Sequence, residues 1–281
     1  MPALRTIALT MAAMLAFAAN SILCRLALAD GSIDPASFGS VRLVSGAIAL
    51  ALVLRLRSAT ARVPAHSDWL AASMLFAYVA CFSFAYLHLS AGTGALLLFG
   101  AVQITMLAAG WRGGESFGPS GWLGFVLAVA GFAGLVAPGV SAPEPASALS
   151  MALAGVAWGV YSLRGRGVAD PLAATAGNFL RATPLALILS LGLWAQSHAG
   201  MRGILLAVAS GALTSGLGYV IWYAALPSLG ALRAATVQLC VPLIAALGGV
   251  LLLAESPGLR LLLAGAAILG GIGLTLLGRR G

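Results

Sequence analysis

The chain has 281 residues, of which 61% are hydrophobic and 8% are charged, and its net charge of +8 comes from arginine because lysine is absent. Soluble proteins carry about 25% charged residues, so this chain has too little charge to cover a water-facing surface, and we expect lipid to surround it. Without lysine it has neither the P-loop of an ATP-driven pump nor the Schiff base of a retinal pump. The arginines are scattered rather than gathered into one patch, so nucleic-acid binding is not expected.

Ten apolar segments are long enough to be membrane spans, which need about 20 mostly apolar residues. Proline, glycine or charged residues mark most breaks between them. The predicted segments are residues 7–28, 36–54, 69–89, 92–110, 120–138, 147–164, 172–194, 203–225, 230–253 and 259–278. The first apolar run is too long for a signal peptide and no clear cleavage site follows it, so we interpret it as the first span. The predicted fold class is an all-α integral membrane protein.

Polar side chains occur inside several of these predicted spans. They are the amides Asn20, Gln103, Asn178 and Gln238. A buried polar group that lacks a partner is costly, so these amides either form hydrogen bonds between helices or line a cavity. Their recurrence on related helices of the two halves favours a cavity.

Aromatic residues follow helical spacing in three predicted spans. Tyr78 and Phe82 share a face of the third span, Trp158 and Tyr161 share a face of the sixth, and Tyr219 and Tyr223 share a face of the eighth. Some aromatic residues of these spans fit an interfacial belt instead, but Tyr78, Trp158 and Tyr161 lie too far from the helix ends. An aromatic cavity with a few amides suits amphipathic, zwitterionic or neutral solutes of modest size.

Ionisable groups at depth are few. Arg42 and Arg181 lie well inside the second and seventh predicted spans, where an arginine either anchors a substrate carboxylate or snorkels and binds exposed carbonyl groups. His88, near the end of the third span, is either an interfacial histidine or a pH-sensitive group, because histidine titrates near neutrality.

The seven acidic residues all fall at predicted helix ends or in loops: Asp30, Asp34, Asp68, Glu115, Glu144, Asp170 and Glu255. A proton-coupled pump, or an exporter of cationic drugs, is expected to hold a carboxylate at mid-membrane. Their positions therefore disfavour both functions. We interpret Glu115 and Glu255 as loop charges or caps, with gating ion pairs as the alternative.

The two halves of the sequence resemble each other. The motif FAxNSxxxR at residue 17 lines up with WGxYSxxxR at residue 158. Four further pairs recur in the same order: 34–35 with 170–171, 94–96 with 230–232, 102–103 with 237–238, and 115–118 with 255–258. Each half holds five predicted spans, an odd number, so the second half enters the membrane from the opposite side. This predicts two inverted repeats, residues 1–140 and 146–281, as in secondary transporters.

The distribution of arginine predicts the orientation, since cytoplasmic loops carry the excess of basic residues. With the N-terminus inside, nine arginines fall at cytoplasmic ends: Arg5, Arg55, Arg57, Arg62, Arg112, Arg164, Arg166, Arg279 and Arg280. Three fall at the opposite side: Arg25, Arg202 and Arg260. Both termini are therefore predicted to be cytoplasmic.

Metal, cofactor and enzyme chemistry are not expected. The three cysteines lie in apolar segments without metal-ligand spacing. An intramembrane enzyme would need a cluster of catalytic groups at depth, whereas His66, His88 and His198 are far apart in the sequence.

Gly155-x-x-x-Gly159 predicts close helix contact in the sixth span. It is weak evidence for a dimer, so we expect a monomer.

The motifs WGVYSLRGR and GALRAATVQLCVP followed by AES, with Arg42 and the two Asp-Pro pairs, resemble the drug/metabolite transporter superfamily. Within it the chain is similar to EamA-type members and most of all to the YddG-type amino-acid exporters. The resemblance implies a transporter in a bacterial-type inner membrane that exports amino acids or similar metabolites by alternating access. A carrier of sugars, nucleotide sugars or drugs is the alternative. Family members often carry an arginine at the position of Arg42 whatever they transport, which favours a structural role there.

Overall fold

The computed structural model describes residues 3–57, 68–113, 118–137, 139, 142–165, 168–222, 224–225 and 237–277. Within them the fold is all-helical, with one isolated bridge between Ile33 and Ala199 and no strand. The helices are α1 (Ala3–Ala29), α2 (Pro35–Arg57), α3 (Trp69–Ala85), α4 (Ala91–Arg112), α5 (Pro119–Val136), α6 (Pro145–Arg164), α7 (Pro171–Gly192), α8 (Met201–Trp222), α9 (Cys240–Leu253) and α10 (Leu259–Leu277).

Seven of these helices, α1, α2 and α4 to α8, are long and apolar enough to cross a membrane. The helices α3, α9 and the described part of α10 are apolar as well but shorter. Large apolar side chains such as Leu4, Leu52 and Leu123 are exposed on the outside of the bundle. Apolar helices with satisfied backbones and apolar outer surfaces are the form that lipid accepts. The chain is a multi-pass membrane protein.

Helix starts are set by side chains that cap the free backbone N–H groups. The carboxylate of Asp68 accepts a hydrogen bond from the Ala71 N–H at 3.0 Å, and that of Asp170 accepts one from the Ala173 N–H at 3.1 Å. Proline stands at the first position of α2, α5, α6 and α7, where its missing N–H costs nothing. These caps hold several acidic groups at the ends of the bundle.

The helices alternate in direction, so their ends form two faces. The first, which we call the Asp170 face, holds the start of α1, the ends of α2 and α6, and the starts of α3 and α7. The second, the Glu255 face, holds the end of α1, the starts of α2, α4 and α8, and the turn after α9. The functional groups lie between the two faces.

Helices of the two halves of the chain interleave rather than form two separate bundles. The helix α6 packs on α3 and α4, and α1 packs on α8 and α9. The helix α2 packs on both α7 and α8, while α3 packs on α7, α4 on α9 and α5 on α10. The interior is therefore shared between both halves.

Close contact between α6 and α4 depends on a glycine. A Cβ atom at Gly155 would lie 2.5 Å from the carbonyl oxygen of Leu98 and 2.6 Å from the Cβ of Ala101. Contacts this short are not tolerated, so the two backbones can approach because residue 155 has no side chain. This confirms the close contact predicted from the small-residue spacing in this helix.

The helix α8 changes its winding in the middle. It starts as an α-helix at Met201, becomes a π-helix over Ala209–Leu217 and ends as an α-helix at Trp222. The wider turn places Ser210, Thr214 and Ser215 in the interior, where all three are buried. Such π segments occur often at functional sites.

Candidate functional site

A small cavity lies in the middle of the bundle, between α1, α2, α3, α4, α6 and α8. Its wall consists of Phe17, Asn20, Ser21, Arg42, Tyr78, Phe82, Leu98, Phe99, Trp158, Thr214, Ser215 and Tyr219. Its volume is about 20 Å³, which is room for about one water molecule. We call it the central cavity.

The amide of Asn20 ties three helices together beside the central cavity. Its Nδ2 donates to the Tyr78 hydroxyl at 3.2 Å. Its Oδ1 accepts from the hydroxyls of Ser210 at 2.5 Å and Thr214 at 3.3 Å. Asn20 can therefore be buried in an apolar helix because side chains of α3 and α8 satisfy its hydrogen bonds.

Aromatic rings form a continuous wall of the central cavity. The ring centroids of Tyr78 and Trp158 are 4.9 Å apart, and those of Trp158 and Tyr219 are 5.2 Å apart. Phe17 contacts Tyr219 edge-on at 6.0 Å, and Phe82 lies 5.4 Å from Tyr78. Rings in offset or edge contact stabilise one another, so this wall is a packed unit built from α1, α3, α6 and α8.

Arg42 is the charged member of the cavity wall, and its side chain is 1% exposed. Its Nη2 donates to the Tyr78 hydroxyl at 2.9 Å, and its Nε donates to the Ser215 hydroxyl at 3.2 Å. The guanidinium carbon lies 5.1 Å from the ring centres of Tyr78 and Phe82. Neutral groups and ring faces therefore hold this cation.

A second, larger cavity opens toward the Asp170 face. It has a volume of about 240 Å³ and its wall includes Tyr161, Asn178 and Arg181, together with Asp68 and Arg164. We call it the vestibule. Trp158 of the central cavity contacts Tyr161 of the vestibule, with ring centroids 5.4 Å apart. This aromatic pair stands where the two cavities approach each other.

Ion pairs join the helix ends at the Asp170 face. Arg57 at the end of α2 binds Asp170, and Arg164 at the end of α6 binds Asp68. The hydrogen bond from Arg57 lowers the pKa of Asp170. Burial alone would raise the pKa of Asp68, but the bonds from Arg164 and the Ala71 N–H outweigh it and lower that pKa. Both carboxylates are therefore charged at neutral pH.

The Glu255 face is closed by a network around one carboxylate. Glu255 accepts from Arg25 Nε at 3.4 Å and from the Ala91 N–H at 2.8 Å. Arg25 Nη1 also donates to the carbonyl oxygens of Tyr86 and Leu87, both at 2.9 Å. This network joins α1, α9 and the turn between α3 and α4.

Two further contacts join the two halves at the Glu255 face. Arg202 pairs with Asp30 at 2.6 Å. The carboxylate of Asp34 accepts from the His198 N–H at 2.9 Å. Burial alone would raise the pKa of Asp34, but hydrogen bonds from Ser37 and His198 outweigh it and the pKa is lowered.

The structure brings together five of the residues predicted to contact substrate in the central cavity: Asn20, Tyr78, Phe82, Trp158 and Tyr219. Three others line the vestibule: Tyr161, Asn178 and Arg181.

The remaining predicted residues lie elsewhere. His88 is exposed on the turn after α3, and Gln103 is buried in α4. Gln238 is partly buried just before α9, while Tyr223 lies outside the described residues. Glu255 forms an ion pair and Glu115 lies outside the described residues.

Five polar residues in or beside the central cavity are absent from the predicted substrate contacts: Ser21, Arg42, Ser210, Thr214 and Ser215. For Arg42 the family resemblance favours a structural role. The sequence holds a signal for two of these residues, since the hydroxyls at positions 210 and 214 are four residues apart and share one face of a helix.

Comparison with known proteins gives three findings. The profile of the EamA-like transporter family matches residues 146–277. The uncharacterized protein PA1977 of Pseudomonas aeruginosa is 54% identical over 281 residues, covering 100% of this chain and 98% of that protein. A solved structure, described as the crystal structure of a protein, is similar with a TM-score of 0.70 and 20% identity, covering 98% of this chain and 99% of that one. That likeness supports the fold alone.

Proposed function

We propose that this chain is a secondary transporter that exports amino acids and related amphipathic metabolites through its central cavity. The match of residues 146–277 to the EamA-like transporter family supports a membrane transporter of small metabolites in the drug/metabolite transporter superfamily. The observation that carries the finer proposal is the cavity wall, which combines aromatic rings with amide and hydroxyl groups. Such a wall suits solutes with an apolar body and a few polar groups.

Alternating access is the mechanism we propose, with residues 1–140 and 146–281 as inverted repeats of five helices each. The packing supports this, because the principal helix contacts keep their pattern when each helix is exchanged for the one five places along. The pair α3–α6 corresponds to α8–α1, and α4–α6 corresponds to α9–α1. A two-fold axis in the membrane plane would produce this pattern.

The transport cycle would open one face at a time. Ion pairs join the two halves at both faces in the present structure, and the central cavity between them has a volume of about 20 Å³. Opening the Asp170 face would connect the vestibule to the central cavity by moving Trp158 away from Tyr161. We propose that the Asp170 face and both termini are cytoplasmic, which the excess of arginine there supports, and that the membrane is a bacterial-type inner membrane.

Transport by the purified protein tests this function. Liposomes containing it would be loaded with radiolabelled amino acids, and efflux would be followed with and without a pH gradient. We expect efflux of aromatic and aliphatic amino acids without a gradient, because the described acidic residues lie at helix ends. Movement of sugars or nucleotides with no amino-acid efflux would contradict the proposal.

Trp158→Ala tests whether the central cavity is the transport site. Loss of the contact between the Trp158 ring and an aromatic substrate costs about 0.5–1.5 kcal/mol, so we expect efflux to slow about twofold to tenfold. Trp111→Ala is the matched control, because Trp111 is 56% exposed on the outside of the bundle. Equal efflux by both variants would place Trp158 among residues that serve packing.

A further inference from the structure

Arg42 lacks a partner for part of its charge. Its Nη1 is buried and has no hydrogen-bond partner in the part of the chain that the structure describes. None of the four ion pairs among those residues includes Arg42. The six described acidic residues lie at helix ends, whereas Arg42 lies seven residues inside α2. Within the described residues, therefore, no anion compensates the charge of this guanidinium.

A cation in this position is costly unless an anion reaches it. Isolated charges lose strong hydration when they are buried, and neutral hydroxyls replace that hydration in part. A guanidinium presents planar N–H donors that match the two oxygens of a carboxylate. A planar anion of about the size of a carboxylate would therefore match the donors of Arg42.

The hydroxyl of Tyr78 is oriented to help bind such an anion. Its oxygen accepts from Arg42 Nη2 at 2.9 Å and from Asn20 Nδ2 at 3.2 Å. With its oxygen used twice as an acceptor, its own hydrogen is left to act as a donor. Arg42 and Tyr78 both line the central cavity, and each then has one donor, Nη1 and the O–H, that is not used by another side chain of the described residues.

We propose that Arg42, assisted by Tyr78, binds the carboxylate of the transported substrate, which makes the substrates organic carboxylates with an apolar or aromatic body. The proposal deepens the proposed function and depends on the same central cavity. The rings of Trp158, Tyr219 and Phe17 contact the apolar body. The cavity of about 20 Å³ must widen to admit the substrate, so binding belongs to an open state.

Binding to the purified protein in nanodiscs tests the proposal. The probes are L-phenylalanine, its carboxamide, and 3-phenylpropionate, which keeps the carboxylate and lacks the amine. We expect the wild type to bind both acids at least about tenfold more tightly than the carboxamide, a difference measured by calorimetry. In Arg42→Gln this preference should disappear, and Arg42→Lys should restore part of it because the charge returns without the planar donors.

Arg112→Gln is the matched control, since Arg112 is an exposed arginine at the end of α4 and outside both cavities. It should keep the wild-type preference for acids. A wild type that binds the carboxamide as well as the acids, or binds neither acid, would overturn the proposal. The same holds if Arg42→Gln folds and still prefers the acids.

The wild-type comparison of acid and carboxamide remains decisive if Arg42→Gln does not fold. Arg42-dependent binding of 3-phenylpropionate alone, without binding or efflux of phenylalanine, would contradict amino-acid export while supporting the carboxylate site. Efflux of phenylalanine by a protein that binds the carboxamide as tightly as the acids would support amino-acid export and contradict the carboxylate site. The two proposals can therefore fail separately.

Discussion

At the scale of single residues, Asn20 forms three side-chain hydrogen bonds beside the central cavity. Its amide contacts Tyr78 on α3 and both Ser210 and Thr214 on α8. Through Tyr78 the same network reaches Arg42 on α2. Asn20 and Tyr78 together connect four helices at the depth of the site and fix their relative positions, and the hydrogen bonds of Asn20 are protected from water because Asn20 is buried.

Asn20→Leu should destabilise the protein by about 1–3 kcal/mol, because the hydroxyls of three residues lose a partner in a buried place. The midpoint of unfolding in detergent measures this change. Thr10→Val is the control, since Thr10 is also buried in α1 but its hydroxyl bonds to Thr6 of the same helix. A similar shift in both variants would mean that the bonds of Asn20 between helices contribute little.

At the scale of helices, close approach and irregular winding determine where the site lies. The glycine at position 155 lets α6 approach α4. There is also no room for a Cβ between Gly211 and the carbonyl oxygen of Arg42, so the π segment of α8 lies directly on α2. These two contacts bring Trp158 and Ser215 to the central cavity.

Gly155→Ala should separate α6 from α4 and destabilise the protein by about 1–3 kcal/mol, the usual cost of an added methylene group in a packed interior. Gly134→Ala in α5 is the control, because nothing lies within 4 Å of its added Cβ. The control should change stability by about 0.5 kcal/mol or less. Equal unfolding midpoints for the two variants would contradict the role of Gly155.

At the scale of the whole molecule, carboxylates at the helix ends connect the two halves. Asp68 and Asp170 have lowered pKa values in the folded protein. A carboxylate with a lowered pKa stabilises the fold above its unfolded pKa, and this contribution is lost as the pH falls through the folded value. Ordinary carboxyl pKa values are about 4, so the ion pairs of the Asp170 face persist through neutral and mildly acidic pH.

The double variant Asp68→Asn and Asp170→Asn tests this linkage. The contribution of Asp68 and Asp170 to the unfolding midpoint of the wild type should be nearly constant from about pH 7 to pH 5. It should be lost below about pH 4, where the carboxylates are protonated. The variant should start lower at neutral pH and fall less steeply in acid, because neither position can be protonated. If the unfolding midpoints of the wild type and the variant fall equally steeply below about pH 4, other groups cause the acid sensitivity.

Much of the fold could be predicted because membrane thickness limits the length of an apolar helix. The predicted segment 36–54 lies inside Pro35–Arg57, and segment 172–194 nearly coincides with Pro171–Gly192. The third helix ends at Ala85 rather than at residue 89, because residues 86–88 form a turn. The π segment was not predicted, since its winding depends on how α8 packs on α2, which is not a local property of the sequence.

The site could be predicted in part for a similar reason. Asn20 and Tyr78 stand out as polar groups in apolar runs, and both lie at the central cavity. The position of Arg42 depends on how α2 is rotated against α3 and α8, and this rotation is fixed by long-range contacts such as that of Gly211. The separation of Tyr161 and Arg181 into a vestibule likewise depends on three-dimensional packing.

Each of the four described ion pairs joins the first half of the chain to the second, two at the Asp170 face and two at the Glu255 face. The pairs of Arg57, Arg164 and Arg202 are largely exposed, whereas that of Arg25 and Glu255 is partly buried. Exposed ion pairs contribute about 0–1 kcal/mol each, so we expect the exposed pairs to favour neither direction of opening strongly. For the proposed transport we therefore expect a reversible carrier, whose net flux follows the concentration ratio of the solute across the membrane.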